Sequence, residues 1–163
     1  MAGGGVETWS SIKKGISKAE QPELIEMLKG LYDLSHDNKL FLTARLAGLS
    51  AKSIEPYRKR IVDQFFPDRG LGDAKLGLAR KAITDYKRAT SDVAGTAELM
   101  VTYVENGARF TEEYGDINGP FYDSMISMMR DLVRLLGAPG SVALAEQFRG
   151  RLEIAEEMSQ SCG

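Results

Sequence analysis

Acidic side chains at helical repeat distances are the residues of this chain best placed to do chemistry. Glu98, Glu105 and Glu112 recur every seven residues, and Glu146 and Glu153 do the same, with Glu157 one turn further on. On a helix such spacing lines carboxylates along one face, and carboxylate groups are the usual ligands of hard cations. The geometry argues against a metal. Seven residues advance about 10.5 Å along a helix axis, whereas Ca²⁺ and Mg²⁺ hold their oxygens at about 2.0–2.6 Å. The Glu-x-x-His pair of di-iron helical bundles is also missing. The rows therefore read as solvated faces, or as faces paired with bases. An acid–base contact between the two halves, within the chain or across a dimer, is the use the pattern favours.

The remaining reactive residues are few. One His and one Cys exclude a Cys/His zinc site, a disulfide framework and a Cys–His dyad with a spare resolving thiol. His36 follows Ser35 at a helix start and has no second His or Cys near it in sequence. Cys162 lies next to the end and has no evident activating base. Asp116-Ile117-Asn118 resembles the opening of a calcium loop. That loop needs Gly at its sixth position and Glu at its twelfth, and the chain has Phe121 and Ser127 there. Gly70-Leu71-Gly72 lacks the further Gly of a dinucleotide fingerprint and follows no strand. No cofactor, metal site or catalytic residue is expected.

Charge is more informative in its distribution than in its sum. The net charge is −2, yet residues 1–90 hold 16 Lys and Arg against 11 Asp and Glu, while residues 91–163 hold 5 against 12. The second part contains no lysine. Arg80, Lys81, Lys87 and Arg88 fall within one arc of a predicted helix, and no acid lies in that arc. Such a stripe suits an acidic partner or phosphates. The plainer reading is a solvated face, or one paired with acids of the same chain, because no aromatic residue interleaves it. With Lys52 and Lys59, the stripe is the basis for a nucleic-acid-binding alternative.

Three apolar features compete as interaction sites. Met125, Met128 and Met129 share a predicted helix with Phe121, Ile126 and Leu132. They read first as gap-filling core residues and second as a Met-rich groove for a partner helix. The turn bearing Tyr114, Asp116, Asn118, Phe121 and Tyr122 reads as a hydrophobic clasp before it reads as a recognition patch. Arg58 falls inside the apolar arc of its helix, so its stem should pack there while its head reaches a carboxylate.

The elements that must carry these residues are helices. With 163 residues, 43% hydrophobic and 27% charged, the chain has the make-up of a globular domain. Leu24, Ile25, Met27, Leu28, Leu31 and Tyr32 share one arc of a helix from Pro22 to Leu34, opposite Glu23, Glu26, Lys29 and Asp33. Ser35 caps a second helix from His36 to about Leu49. A third runs from about Ser53 to Phe66. The Pro67–Gly72 loop leads to Asp73, which can cap a fourth, ending near Thr90. The fifth spans Val93–Tyr114, where the spacing of Ala97, Met100, Val104 and Ala108 outweighs the strand-like Val101–Val104. The sixth, Pro120–Leu136, is capped by Asn118 or Gly119 and stops at Gly137 before Pro139. The seventh starts near Ser141.

The segments Ser17-Lys18 and Glu23-Leu24-Ile25 through Leu31-Tyr32 resemble the start of a family of small bacterial helical proteins, a domain of unknown function. Ala82–Thr90 followed by Gly95–Met100 is similar to it as well. The most specific element is Phe110-Thr111-Glu112-Glu113-Tyr114-Gly115-Asp116-Ile117, then Phe121–Met125. The resemblance implies a bacterial, cytoplasmic, all-helical protein with no established activity, and it supplies no catalytic residues.

The expectation is an all-α fold of six or seven helices, an irregular bundle or a short α-solenoid-like stack without a sheet. Residues 1–16 read as a flexible leader and 17–163 as one domain, with the fifth and sixth helices forming its core hairpin. The leading function is a non-catalytic interaction module using charged helix faces, with a protein partner or a second copy. Nucleic acid comes second and a carboxylate-based enzyme third. No apolar run approaches the roughly 18 residues of a membrane span, so no membrane partner is expected.

Overall fold

A computed structural model describes residues 6–46, 51–68 and 74–160, with backbone alone over 51–53 and 155–160. Among the described residues every regular element is a helix. There are eight: α1 (Trp9–Ile16), α2 (Gln21–Leu34), α3 (His36–Leu46), α4 (Ala51–Phe65), α5 (Leu76–Thr90), α6 (Val93–Tyr114), α7 (Gly119–Leu136) and α8 (Val142–Gln160). The all-α class holds and the count of six or seven is corrected to eight. The added helix is α1, inside the stretch read as leader. Thr8 caps it, its hydroxyl accepting from the Ser11 amide at 3.3 Å. The chain divides into two compact units between Leu42 and Thr43, within α3.

In the N-terminal unit, α2 begins with a capping box. The Glu20 amide donates to the Glu23 carboxylate at 2.9 Å, and the Glu20 side chain returns the bond to the backbone one turn on. Reciprocal satisfaction of otherwise orphaned amides fixes this start, and Pro22 suits the first turn. Ser35 adopts an extended backbone between α2 and α3, and its hydroxyl accepts from the Asn38 amide at 3.1 Å.

The C-terminal unit is an irregular bundle around α6, which packs against α4, α5, α7 and α8. Twelve of the 22 residues of α6 are buried. Small residues let its neighbours come close. A side chain at Gly95 would collide with the Tyr86 hydroxyl and the Asp92 carboxylate, and one at Gly107 with the Met125 sulfur. The aromatic layer is built edge to face, with Tyr57 on Tyr86 at 5.2 Å and Phe65 on Tyr103 at 5.3 Å between ring centres. Ala97, Val101, Leu132 and Phe148 close a second cluster.

The expected core hairpin of α6 and α7 is only part of this core. α7 buries just Phe121, Met128 and Leu132, whereas α6 is enclosed by four helices. Helix ends follow local chemistry. The Asn118 side chain accepts from the Phe121 amide at 3.0 Å to start α7. Gly115, at φ 78°, ends α6 in the left-handed region that glycine tolerates. The expected cap Asp73 lies outside the described residues, and α5 starts at Leu76 after Lys75, which supplies no side-chain cap. No helix is long and apolar enough to cross a membrane among the described residues.

Candidate functional site

Two members of the acidic row of α6, Glu98 and Glu105, are held by arginines from two other helices of the C-terminal unit. Arg58 on α4 donates to Glu98 at 2.8 Å and to the Thr102 hydroxyl at 3.2 Å. Arg151 on α8 donates to Glu98 at 2.7 Å and grips both oxygens of Glu105 at 2.7 Å each. This fork-to-fork geometry is the strongest form of the pair. The Glu98 side chain is 19% exposed. Burial alone would push its carboxyl up, but the hydrogen bonds from Arg151 and Arg58 outweigh that and hold it below its ordinary 4.5. The hydrogen bond to Glu105, joined by that to Glu98, raises Arg151 against the opposing effect of burial. This arrangement clamps three helices. Glu98 and Glu105 have their charges matched by guanidinium groups, and a hollow of about 290 Å³ bordered by Arg58, Glu98, Asp92 and Gln147 lies beside them.

The rest of the rows diverge. Glu112 and Glu153 are exposed, Glu146 pairs with Arg149 at 2.6 Å, and the Glu157 side chain lies outside the described residues. Among the described residues no group of three or more His, Cys, Asp or Glu is placed to hold a metal. His36 is exposed at the start of α3. Cys162 and Gly70-Leu71-Gly72 lie outside the described residues.

The basic stripe of α5 splits into two. Arg80 turns inward, donating to the Ser124 hydroxyl at 3.1 Å and to the Ser124 carbonyl at 2.7 Å. Its guanidinium also lies 5.7 Å from the Tyr103 ring centre, and the Tyr103 hydroxyl bonds Ser124 at 2.8 Å. Lys81 donates to Asp85 at 2.6 Å, one turn away on the same helix. Lys87 and Arg88 are exposed near the end of α5, where positive charge complements the helix dipole. Lys59 is paired with Asp63 at 2.8 Å, and the side chain of Lys52 lies outside the described residues.

The turn patch is mostly self-contained. Phe121 is buried and stacks on Phe110 at 5.7 Å, and Tyr114 lies 4.6 Å from Phe110. The Tyr122 hydroxyl donates to Asp116 at 2.9 Å, and Asn118 is occupied as the α7 cap. A hollow of about 420 Å³ lies beside this turn, bordered by Tyr114, Asn118 and Phe121. A second, of about 380 Å³, runs between α6 and α7 over Gly107, Met125, Ile126 and Met129. Met128 is instead a core residue.

The N-terminal unit presents apolar side chains of α1 and α2 at its surface. Neither α1 nor α2 buries a single residue. Trp9, Ile12 and Ile16 fall within about 60° of one another on α1, at about 100° per residue, and Trp9 is 69% exposed. The predicted arc of α2 is present as drawn, yet Leu28 is 47% and Leu31 51% exposed. The α2 stripe was visible in the sequence, but its exposure was not. The α1 stripe could have been found from the spacing of Trp9, Ile12 and Ile16 behind the cap Thr8. Comparison with protein-family models, with curated proteins and with solved structures gives no match.

Proposed function

We propose that this chain is a non-catalytic protein-interaction module whose recognition surface is the apolar face of residues 9–34. One observation carries the reading: two helices with well-formed apolar stripes hold no fully buried residue and leave Trp9, Leu28 and Leu31 about half or more exposed. Exposed contiguous apolar surface on a folded chain marks a contact site, and amphipathic helices dock through anchors spaced as these are. Charged helix faces take the supporting role of orienting the partner. Within the C-terminal unit they serve internal contacts more than external ones, since Arg80 is held by Ser124 and Glu98 by Arg58 and Arg151. The resemblance to a bacterial helical family of unknown function belongs to the same proposal and adds no activity to it.

The test is a photoreactive residue in place of Leu28 in the full chain, illuminated in the cells that produce it. The expected outcome is a covalent protein adduct at position 28, absent when the same residue replaces exposed Glu153 on α8. No adduct at position 28 would contradict the reading.

A further inference from the structure

The hollow over Gly107 belongs neither to the charge clamp nor to the turn. Its volume of about 380 Å³ falls in the range of small-molecule sites, roughly 300–1,000 Å³. α6 borders it between Val104 and Thr111, α7 between Phe121 and Met129, and Leu152 of α8 lies against it. All three helices belong to the C-terminal unit. Gly107 lets Met125 lie close to the α6 backbone, since a side chain there would meet its sulfur. Met125 and Met129 are unbranched and polarizable, so they can repack around a guest.

The lining says what chemistry that guest has. No charged residue borders the hollow, and only Thr111 and Tyr122 bring a polar side chain to it. The Thr111 hydroxyl donates to the Ala108 carbonyl at 2.7 Å, and the Tyr122 hydroxyl donates to Asp116 at 2.9 Å. Neither has a proton left to give. Water held in such a space needs two to four polar partners, and a guest with polar groups along its length would bury them unpaired. An apolar guest gains from every carbon it buries.

The dimensions say what shape it has. Val104 to Thr111 advances about 10.5 Å along the helix axis. Spread over that length, 380 Å³ gives a mean section of about 36 Å², or about 6 Å on a side. A helix with its side chains is 10–12 Å across, on the order of 80–110 Å² in section. The hollow is thus too narrow for the partner helix that its methionines suggest in the sequence. Carbon atoms pack about 3.5–4.0 Å apart, so one file of carbons fits and two side by side do not. We propose that this hollow binds one unbranched alkyl or acyl chain of a small amphiphile, entering past the exposed Ile126. The site goes beyond the interaction reading above and uses none of residues 9–34.

The experiment titrates the full chain, with carbon-13 in its methionine methyl groups, with straight 1-alkanols from butanol to octanol. The methyl signals of Met125 and Met129 should shift and saturate, while that of Met27 on α2 stays in place. Affinity should rise about fourfold with each added methylene, as burial of that group predicts. Cyclooctanol, with as many carbons as 1-octanol, should bind at least tenfold more weakly. Met129→Trp narrows the hollow and should weaken 1-octanol at least tenfold. If that variant does not fold, Ile126→Trp at the exposed mouth serves instead. Signals of Met125 and Met129 that stay still, or move no more than that of Met27, overturn the proposal. So does an affinity independent of chain length, cyclooctanol binding as tightly as 1-octanol, or a tryptophan variant that binds 1-octanol unchanged. The adduct test at position 28 is decided separately, so either reading can fail alone.

Discussion

Leucines in the two units of this chain sit in opposite surroundings although their sequence patterns are alike. Leu99 and Leu132 in the C-terminal unit are fully enclosed, while Leu28 and Leu31 in the N-terminal unit leave about half their surface open. Leu28 and Leu31 lie three residues apart on α2, Leu99 lies on α6 and Leu132 on α7, and each faces charged residues across its helix. The difference lies in what surrounds them. α6 has four packed neighbours, and its charges Glu98 and Glu105 are met by Arg58 and Arg151. α2 keeps its charges and its apolar face outward. An apolar stripe specifies that a face will be covered and is silent on whether its own chain does the covering.

The largest expected effect that sharpens this contrast is a pair of truncations. Leu132→Ala should cost about 2–5 kcal/mol of unfolding free energy in urea, the range for a sealed core leucine. Leu28→Ala should cost less than about 0.5 kcal/mol, as surface changes do. Equal costs would erase the distinction between the units.

A smaller effect concerns the charge clamp that only the C-terminal unit has. Arg151→Ala leaves Glu98 and Glu105 without their main donor and should cost about 1–3 kcal/mol at neutral pH, between a buried and a surface pair. The cost should depend on pH in a defined direction. The Glu98 carboxyl is held below its ordinary 4.5 in the folded chain. Its contribution is therefore complete above that value and is lost as pH falls through the lower, folded one. The gap between Arg151→Ala and the unaltered chain should accordingly narrow in acid. A gap that stays constant from pH 7 to pH 3 would show that Arg151 acts by packing alone.

Much of the fold was legible because helix ends are written in local chemistry. The limits of α6, the cap at Asn118 and the stop at Gly137 follow from residues within a turn of each end. α1 was obscured by the glycines before it, which set the tone of the whole opening although Thr8 and Trp9 already start a helix. The start of α5 was misplaced because Lys75 makes no side-chain cap. At the clamp, Arg58 needed a carboxylate by virtue of its apolar surroundings, so its role could be read. Arg151 could not be assigned, since it meets Glu98 from 53 positions away and no periodicity joins two helices across such a gap. The fate of Arg80 was hidden for the same reason, its partner Ser124 lying 44 positions on.

The central claim is that side chains are sealed around α6 while residues 9–34 keep an open apolar face, and amide hydrogen exchange on the full chain tests it most directly. Peptides from α6 should exchange slowly, as core helices do. Peptides from α1 and α2 should exchange fast, because neither helix holds a buried residue. Exchange over residues 9–34 as slow as that of α6 would contradict the account.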